Sequence, residues 1–262
     1  MNGTLVFGSP HGDGQSLYGA SGYVVYRLSP PTGGGAWTYT TLHTFPADVV
    51  ADAIGDALVV GTAGSLYGVT ADGGYVGGFC FYYDGCGTVF SLNPPATAGG
   101  PWTEQILHAF NPGGRRWVSP SCRASYRTWG GLYGTTSAGG AGYQEGGGTV
   151  FSLTPPTVTG APMTETILYP FGVTEGSGCQ PETPLVLGPN GVLYGTTLGC
   201  GAGTIFQLAP PPSAGGAWTV TTLYSFAGSG YSEPAALTLG PEGTLYGVAR
   251  DGSGGIVFSL TP

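Results

Sequence analysis

The segment GLYGTTSAGGAGYQEGGGTVFSL, at Gly131–Leu153, contains the two short motifs that decide the fold, Leu-Tyr-Gly and Gly-Thr-Val-Phe-Ser-Leu. The second motif recurs in variant form along the chain, with its aromatic residue at Tyr26, Phe90, Phe151, Phe206 and Phe258. These positions are 64, 61, 55 and 52 residues apart, a period longer than a solenoid coil and suited to a four-stranded propeller blade with loop insertions. The chain is therefore predicted to contain five imperfect copies of one β-rich repeat.

Each copy is predicted to contain up to four strands, here called a, b, c and d. They are clearest in the fourth copy, at Pro184–Leu187, Val192–Thr197, Gly203–Leu208 and Trp218–Phe226. The turn between a and b is a tight-hairpin signal centred between Pro189 and Asn190, so the numbers of facing residues should sum to 379. Period-two alternation in strand d predicts one shared face for Trp218, Val220, Thr222, Tyr224 and Phe226.

The predicted fold is an all-β, five-bladed β-propeller in a single domain, with blades of up to four antiparallel strands. The copies fall at approximately 1–45, 46–110, 111–171, 172–226 and 227–262. In the first copy, Gly3–Gly8 takes the place of the Leu-Tyr-Gly strand, and Leu17–Gly19 falls in the expected b-to-c loop. This gives five b and five c strands but only four a and four d strands, so the first or last blade is expected to be incomplete. The two missing strands are absent or come from another chain.

Composition excludes several classes of function. Gly and Pro supply 52 and 22 residues, while 41% of the chain is hydrophobic, a combination typical of turn-dense β-structure. Only 8% of residues are charged and the net charge is −8, which argues against a nucleic-acid partner. No apolar run is long enough to span a bilayer. We expect an exported protein, with no signal peptide inside this chain.

The repeated residues resemble the GloVer (Gloeobacter/Verrucomicrobia-type) tandem repeat family of exported bacterial proteins. Its pattern is similar to Gly-x-Leu-Tyr-Gly-Thr-Thr, a Gly-Gly turn, Gly-Thr-Val-Phe-x-Leu and a Leu-His/Tyr-x-Phe ending. The clearest matches are Gly131–Thr136 with Gly148–Phe151, and Gly191–Thr197 with Gly203–Phe206. The resemblance spans nearly the whole chain. It implies export and a propeller-like fold, and it carries over no catalytic residue.

The five cysteines suit an oxidising compartment. Cys179 and Cys200 have numbers that sum to 379, so they should face each other at a separation that a disulfide can bridge; the alternative is two unlinked core residues. Cys80 and Cys86 flank a short loop that could close as a second disulfide. Cys122 is left over, either buried and inert or used between chains.

One segment, Arg115–Trp129, departs most from the repeat and holds four of the six arginines and two of the five tryptophans. It occupies the crossing into copy three and its strand a, elements that approach the central channel of a propeller. Arg and aromatic side chains can hold a carboxylate or a sugar face by forked hydrogen bonds and stacking; alternatively, the arginines pair with carbonyls and acids of adjacent blades. The candidate binding residues are Arg115, Arg116, Trp117, Arg123, Tyr126, Arg127 and Trp129.

A second candidate is the aromatic insertion of Phe81, Tyr82 and Tyr83 in copy two. Exposed aromatic tips suit glycan or protein contacts, and packing across the propeller face is an equal alternative.

The histidines and carboxylates point to architecture instead of catalysis. His43 and His108 occupy a repeat position that holds Tyr169 and Tyr224 in copies three and four. His11 lies in a Gly-rich turn, and several aspartates belong to Asp-Gly turn pairs. No catalytic residue, metal site or cofactor is predicted.

Three functions follow, in order of preference. The first is a non-enzymatic extracellular or cell-surface scaffold that binds a glycan or a protein. The second is a structural subunit that assembles with copies of itself into a filament or ring through open strand edges. The third is a propeller-type carbohydrate-active enzyme, which needs only two suitably spaced carboxylates.

Overall fold

The structure of the chain is a computed structural model. It describes residues 5–7, 16–46, 58–61, 64–70, 73–74, 87–97, 99–110, 125–126, 131–140, 147–156, 161–172, 178–181, 183–199, 203–226, 232–251 and 254–262. Within these residues, no helical segment combines the length and apolar character needed to cross a membrane.

The described strands form five antiparallel sheets, each made of strands that are consecutive in the chain. The first contains β1 (Leu5–Phe7), β2 (Leu17–Ser21), β3 (Val24–Ser29) and β4 (Thr38–Thr44). The second contains β5 (Val59–Val60), β6 (Leu66–Thr70), β7 (Thr88–Asn93) and β8 (Thr103–Ala109). The third contains β9 (Ser125–Tyr126), β10 (Leu132–Thr136), β11 (Thr149–Thr154) and β12 (Thr164–Pro170). The fourth contains β13 (Val186–Leu187), β14 (Leu193–Thr197), β15 (Thr204–Ala209) and β16 (Thr219–Ser225), and the fifth β17 (Ser232–Leu239), β18 (Leu245–Asp251) and β19 (Gly255–Leu260).

The first copy is regular, which corrects the expectation from sequence. Strand a is β1, and the Leu17-Tyr18-Gly19 motif lies in strand b, β2, as it does in every other sheet. The sequence misled because nine residues separate β1 from β2, whereas five separate strands a and b in each of the other described sheets. Among the described residues the sheets therefore lack one strand, not two: strand d of the fifth sheet.

The turn in the fourth sheet is one residue longer than predicted. Leu187 faces Leu193 and Val186 faces Tyr194, so facing residue numbers sum to 380 beside the turn. A single 3-10 turn covers Pro189–Gly191, with Asn190 at a positive φ of 57°. Further along, Cys179 bridges Gly199 instead of Cys200. Beside the turn the predicted register was wrong because Asn190 accepts a left-handed conformation that adds a residue to the loop; the shift at Cys179 runs in the opposite direction and has another origin.

A β-bulge in strand d breaks the predicted alternation. In the fourth sheet Ile205 pairs with Tyr224 and Phe206 pairs with Thr222, which leaves Leu223 as the extra residue. The same shift occurs at the equivalent positions of the first and second sheets. Because an extra residue reverses the side-chain alternation, strand d begins on one face of its sheet and ends on the other.

The glycine of Leu-Tyr-Gly explains why the two motifs occur together. It stands directly opposite the aromatic residue of strand c, as Gly68 opposite Phe90 and Gly195 opposite Phe206. A Cβ atom added at either glycine would lie 2.5 Å from the ring, far inside van der Waals contact. The ring therefore lies flat across the strand only where no side chain intervenes.

Each sheet presents two apolar faces. We call face A the side that carries the tyrosine of Leu-Tyr-Gly and the Val/Ile that precedes the aromatic residue of strand c. Face B carries the leucine of Leu-Tyr-Gly and the aromatic residue itself. The two faces follow from the ladder, because Tyr194 and Ile205 alternate with Leu193 and Phe206.

The chain forms two compact units, residues 1–114 with 155–164 and residues 115–154 with 165–262. In the first unit, face A of the first sheet packs on face B of the second, where Val25 meets Leu66 and Phe90. In the second unit, face A of the third sheet packs on face B of the fourth, and face A of the fourth on face B of the fifth. One A-to-B contact thus repeats at three interfaces.

Candidate functional site

The binding residues predicted from sequence lie outside the described part of the chain. These residues are Arg115, Arg116, Trp117, Arg123, Arg127, Trp129, Phe81, Tyr82 and Tyr83. Tyr126 is described in its backbone alone, as the partner of Leu132 in the ladder between β9 and β10. The two candidate surfaces therefore stay predictions.

One of the five cysteines can be assigned a state. Cys179 is buried and disulfide-bonded. Cys80, Cys86, Cys122 and Cys200 lie outside the described residues, so the predicted pairings and the role of Cys122 stay predictions.

The histidine position of the repeat serves packing between sheets. The His43 ring stands edge-on to Phe45 with centroids 4.6 Å apart, and Tyr224 meets Phe226 in the same way at 4.9 Å. The phenylalanine then packs on the aromatic residue of the next sheet, as Phe45 does on Phe90. Histidine and tyrosine thus perform the same packing task. His11 lies outside the described residues.

The residue that the next sheet places near this position differs between the copies with histidine and those with tyrosine. Nε2 of His43 lies 3.0 Å from Oε2 of Glu104 in the next sheet, close enough for an ion pair although the hydrogen-bond angle is not satisfied. Where the position holds Tyr169, the next sheet offers Val220, and the two side chains pack in one apolar cluster. A polar pair in one interface is thus replaced by an apolar pair in another. Within the described ranges, no group of three or more His, Cys, Asp or Glu side chains could hold a metal ion.

Face A of the fifth sheet is uncovered. Val257 is 82% exposed, whereas the equivalent residues of the other four sheets are 0 or 1% exposed: Val25, Val89, Val150 and Ile205. Tyr246 and Val248, on the same face, are 44% and 42% exposed. In the described structure, β19 pairs with β18 and has no strand on its other side. An apolar face and an open strand edge therefore adjoin.

Face B of the first sheet is uncovered as well. Trp37 and Tyr39 are 48% and 56% exposed, and Tyr39 stacks on Tyr26 with ring centroids 5.1 Å apart. The tryptophans at the equivalent position of the second and fourth sheets, Trp102 and Trp218, are partly buried against the preceding sheet. The first sheet thus displays a face that other sheets use for packing.

Sequence analysis predicted an incomplete first or last blade, but it did not identify the exposed side chains on the first and fifth sheets. The count of strands indicated an open edge, yet Val257, Tyr246 and Trp37 match the repeat consensus and look like core residues. Only their exposure distinguishes them.

Comparison with protein families settles the affiliation that the repeat suggested. The family model of the Gloeobacter/Verrucomicrobia repeat matches residues 6–258. The chain belongs to this repeat family. The resemblance inferred from the Leu-Tyr-Gly and Gly-Thr-Val-Phe-x-Leu motifs is thus confirmed. No curated protein matches the sequence.

Solved structures similar to this Gloeobacter/Verrucomicrobia repeat chain include a glucose dehydrogenase, with 13% identity and a TM-score of 0.61, covering 100% of this chain and 83% of that one. A luciferin-regenerating enzyme has 13% identity and a TM-score of 0.59, with 100% and 79% covered. An inactive virginiamycin B lyase from Staphylococcus aureus has 14% identity and a TM-score of 0.51, with 100% and 71% covered. At such identities the likeness concerns the fold alone, and with the five sheets it confirms the predicted all-β propeller class.

Proposed function

We propose that this protein is a non-enzymatic scaffold, exported to the cell surface or beyond, that binds a protein partner at the open end of its fifth sheet. The observation that carries the proposal is the contrast at one repeat position, 82% exposed in Val257 and at most 1% exposed in the other four sheets. Soluble proteins rarely expose large contiguous apolar patches, and such patches, where they occur, mark interaction sites.

The edge beside Val257 supports a strand as the element that the partner contributes. An unpaired strand displays a row of free backbone N–H and C=O groups, which an extended segment can complete as a further strand. In the fourth sheet, β16 fills this place; its Leu223, and Phe226 directly after the strand, pack in the cluster that buries Ile205. A partner strand on β19 would do the same for Val257.

Export is supported by the disulfide at Cys179, because disulfides persist in oxidising compartments and are rare in the bacterial cytosol. Surface exposure can be measured on intact cells of the source organism by protease shaving followed by detection of the chain. A chain recovered only from the cytosol would contradict this part of the proposal.

The binding proposal is tested with a soluble peptide of the sequence Trp218–Phe226, carrying added lysines for solubility. We expect saturable binding, with slower amide hydrogen exchange at β19 and little change at β15, whose edge β16 already occupies. The matched control peptide replaces the leucine and the final phenylalanine by aspartate, and it should not bind.

The protein-side control is Val257→Asp, which places a carboxylate where the peptide would cover the face. It should abolish binding, since a buried, unpaired charge opposes association. Equal binding of both peptides, or protection spread over all sheets, would show that the fifth sheet is no specific site.

A further inference from the structure

We infer that the interface between the first and second sheets carries a binding site for an acidic sugar, centred on Arg27. The guanidinium of Arg27 holds the carboxylate of a hexuronate residue, and the sugar ring lies beside Tyr18 and Trp102. All three residues belong to the first compact unit. The site is separate from the fifth sheet and uses none of its residues.

Arg27 occupies a repeat position that the other copies fill with an uncharged polar side chain. In the first sheet Arg27 faces Tyr18, the tyrosine of Leu-Tyr-Gly. The residues that face this tyrosine in the other four sheets are Ser91, Ser152, Gln207 and Ser259. The repeat therefore folds without a cation at this position, and the arginine of the first copy calls for a separate explanation.

The charge of Arg27 has no counterion within the described structure. Its Nε atom is enclosed by protein, yet no described residue accepts a hydrogen bond from it. Glu104 of the second sheet lies 3.0 Å from Nε2 of His43, and no ion pair joins Glu104 to Arg27 in the described part of the chain. An enclosed donor that loses water without gaining an acceptor is destabilising. A ligand that brings the acceptor removes this penalty.

Two aromatic rings lie beside the cation. Tyr18 faces Arg27 and stands edge-on to Trp102 with centroids 6.3 Å apart, and both rings are partly exposed. At the equivalent contact between the third and fourth sheets, Tyr133 is only 2% exposed and Ser152 takes the place of Arg27. The first interface is thus more open at its tyrosine, and it offers ring surface on which the apolar face of a sugar can pack.

Hydroxyl groups continue the same face beyond Arg27. Thr40 faces Arg27 across the ladder, and Ser29 faces Thr38 two residues further along. Oγ of Ser29 lies 3.3 Å from Oγ of Ser16. Period-two alternation places Arg27 and Ser29 on one face of the strand. A cation, aromatic rings and hydroxyl groups thus adjoin, which matches the carboxylate, the ring face and the hydroxyl groups of a hexuronate.

The geometry of the guanidinium favours a carboxylate as the group that it holds. A planar guanidinium binds a carboxylate through two parallel N–H···O bonds, and these charge-assisted bonds are stronger than neutral ones. The Nε–H of Arg27 is one of the donors of such a fork, and it is the donor that has no acceptor in the described structure. Neutral sugars lack the pair of charged oxygens. Esterification of the carboxylate should therefore remove most of the affinity.

The experiment measures binding of oligogalacturonate, and of oligomannuronate as a second uronate, to the full chain by isothermal titration calorimetry at fixed ionic strength. We expect saturable binding to the wild type. Arg27→Ser installs the residue found in three other copies, and it should bind roughly tenfold more weakly or worse, because charge-assisted hydrogen bonds are lost. Arg27→Lys keeps the charge without the fork, so its affinity should lie between the two.

The matched control is Arg250→Ser, which removes the same charge from an exposed position of β18 and should bind like wild type. Thermal unfolding gives a second readout that a purely structural arginine would not alter. A ligand that binds the native state raises the unfolding midpoint. The uronate should therefore raise the midpoint of the wild type and of Arg250→Ser, and leave that of Arg27→Ser unchanged.

Equal affinity of the wild type and Arg27→Ser overturns the inference, as does the absence of saturable binding to both uronates. Equal binding of the methyl-esterified oligomer would show that the carboxylate is not recognised. Equal binding of a sulfated neutral oligosaccharide would show a general anion site. Either result also overturns the inference. Val257→Asp should bind the uronate like wild type, so failure of this site and failure of the proposed function are measured separately.

Discussion

The fourth and fifth sheets carry the same repeat in strands b and c, yet they bury it differently. On face B the two agree, since Leu193 and Leu245 are both fully buried. On face A they differ, since Ile205 is buried and Val257 is exposed. The fourth sheet has β16 beside it and the fifth sheet packed on it, whereas the described fifth sheet has neither. The repeat sequence therefore makes face A apolar. Whether that face is buried depends on the neighbouring strand and sheet.

The largest expected effect is a direct test of this difference. Ile205→Asp should destabilise the chain by about 3–5 kcal/mol, because it leaves an uncompensated charge in an apolar interior. Val257→Asp should change stability by less than about 0.5 kcal/mol, as surface substitutions do. Urea unfolding of dilute protein measures both.

If Ile205→Asp fails to fold, the alanine pair preserves the test. Ile205→Ala should cost about 2–5 kcal/mol through lost burial and a cavity, with Val257→Ala close to wild type. Similar costs at the two positions would mean that face A of the fifth sheet is covered in solution even when the chain is monomeric.

A smaller effect is expected to be shared by both sheets, because it concerns face B. Gly195→Ala and Gly247→Ala should each cost about 1–3 kcal/mol by overpacking, since the new methyl group would collide with the ring of Phe206 or Phe258. Gly254→Ala is the control, because no atom lies near its added Cβ. Stability is read by thermal unfolding.

Combining Gly195→Ala with Phe206→Leu sharpens the assignment. The smaller side chain should make the glycine substitution less costly than it is in the wild-type background. Strictly additive costs would show that the glycine is required for another reason.

The smallest effect concerns the equivalent turns. Glu242 in the fifth sheet has a φ of 61° and Asn190 in the fourth a φ of 57°. A left-handed conformation costs an ordinary side chain roughly 1–2 kcal/mol, while asparagine tolerates it better and glycine freely. We expect Glu242→Gly to stabilise the chain by about 0.5 kcal/mol after the entropy lost by glycine, and Asn190→Gly to have less effect. Parallel chemical denaturation compares them, and destabilisation by Glu242→Gly would contradict the reading of this turn.

Much of the fold could be predicted from sequence because the motifs act locally. Strands b, c and d of the fourth copy begin and end within one residue of their predicted bounds, since apolar alternation and Gly/Pro turns both specify them. The face of Phe226 was not predictable in this way. The bulge at Leu223 arises from the way strand d pairs with Ile205 and Phe206. A strict period-two alternation has no place for the extra residue.

The candidate site was harder to predict for a different reason. Exposure of Val257 depends on which sheet follows it, and its own sequence is the same Val-Phe-Ser-Leu found in the buried second and third sheets. Arg123 and Phe81 attracted attention because they depart from the repeat, and they lie outside the described residues. Departure from consensus identifies unusual side chains, but it does not identify ordinary side chains in unusual surroundings.

The paired positions between sheets also bear on how such a gene can recombine. His43 lies against Glu104 across one interface, and Tyr169 and Val220 pack in the same apolar cluster at another. Exchange of whole copies would set a histidine against a valine or a tyrosine against a glutamate. The copies are therefore not interchangeable modules: the order of neighbours is inherited together with the sequence of each copy.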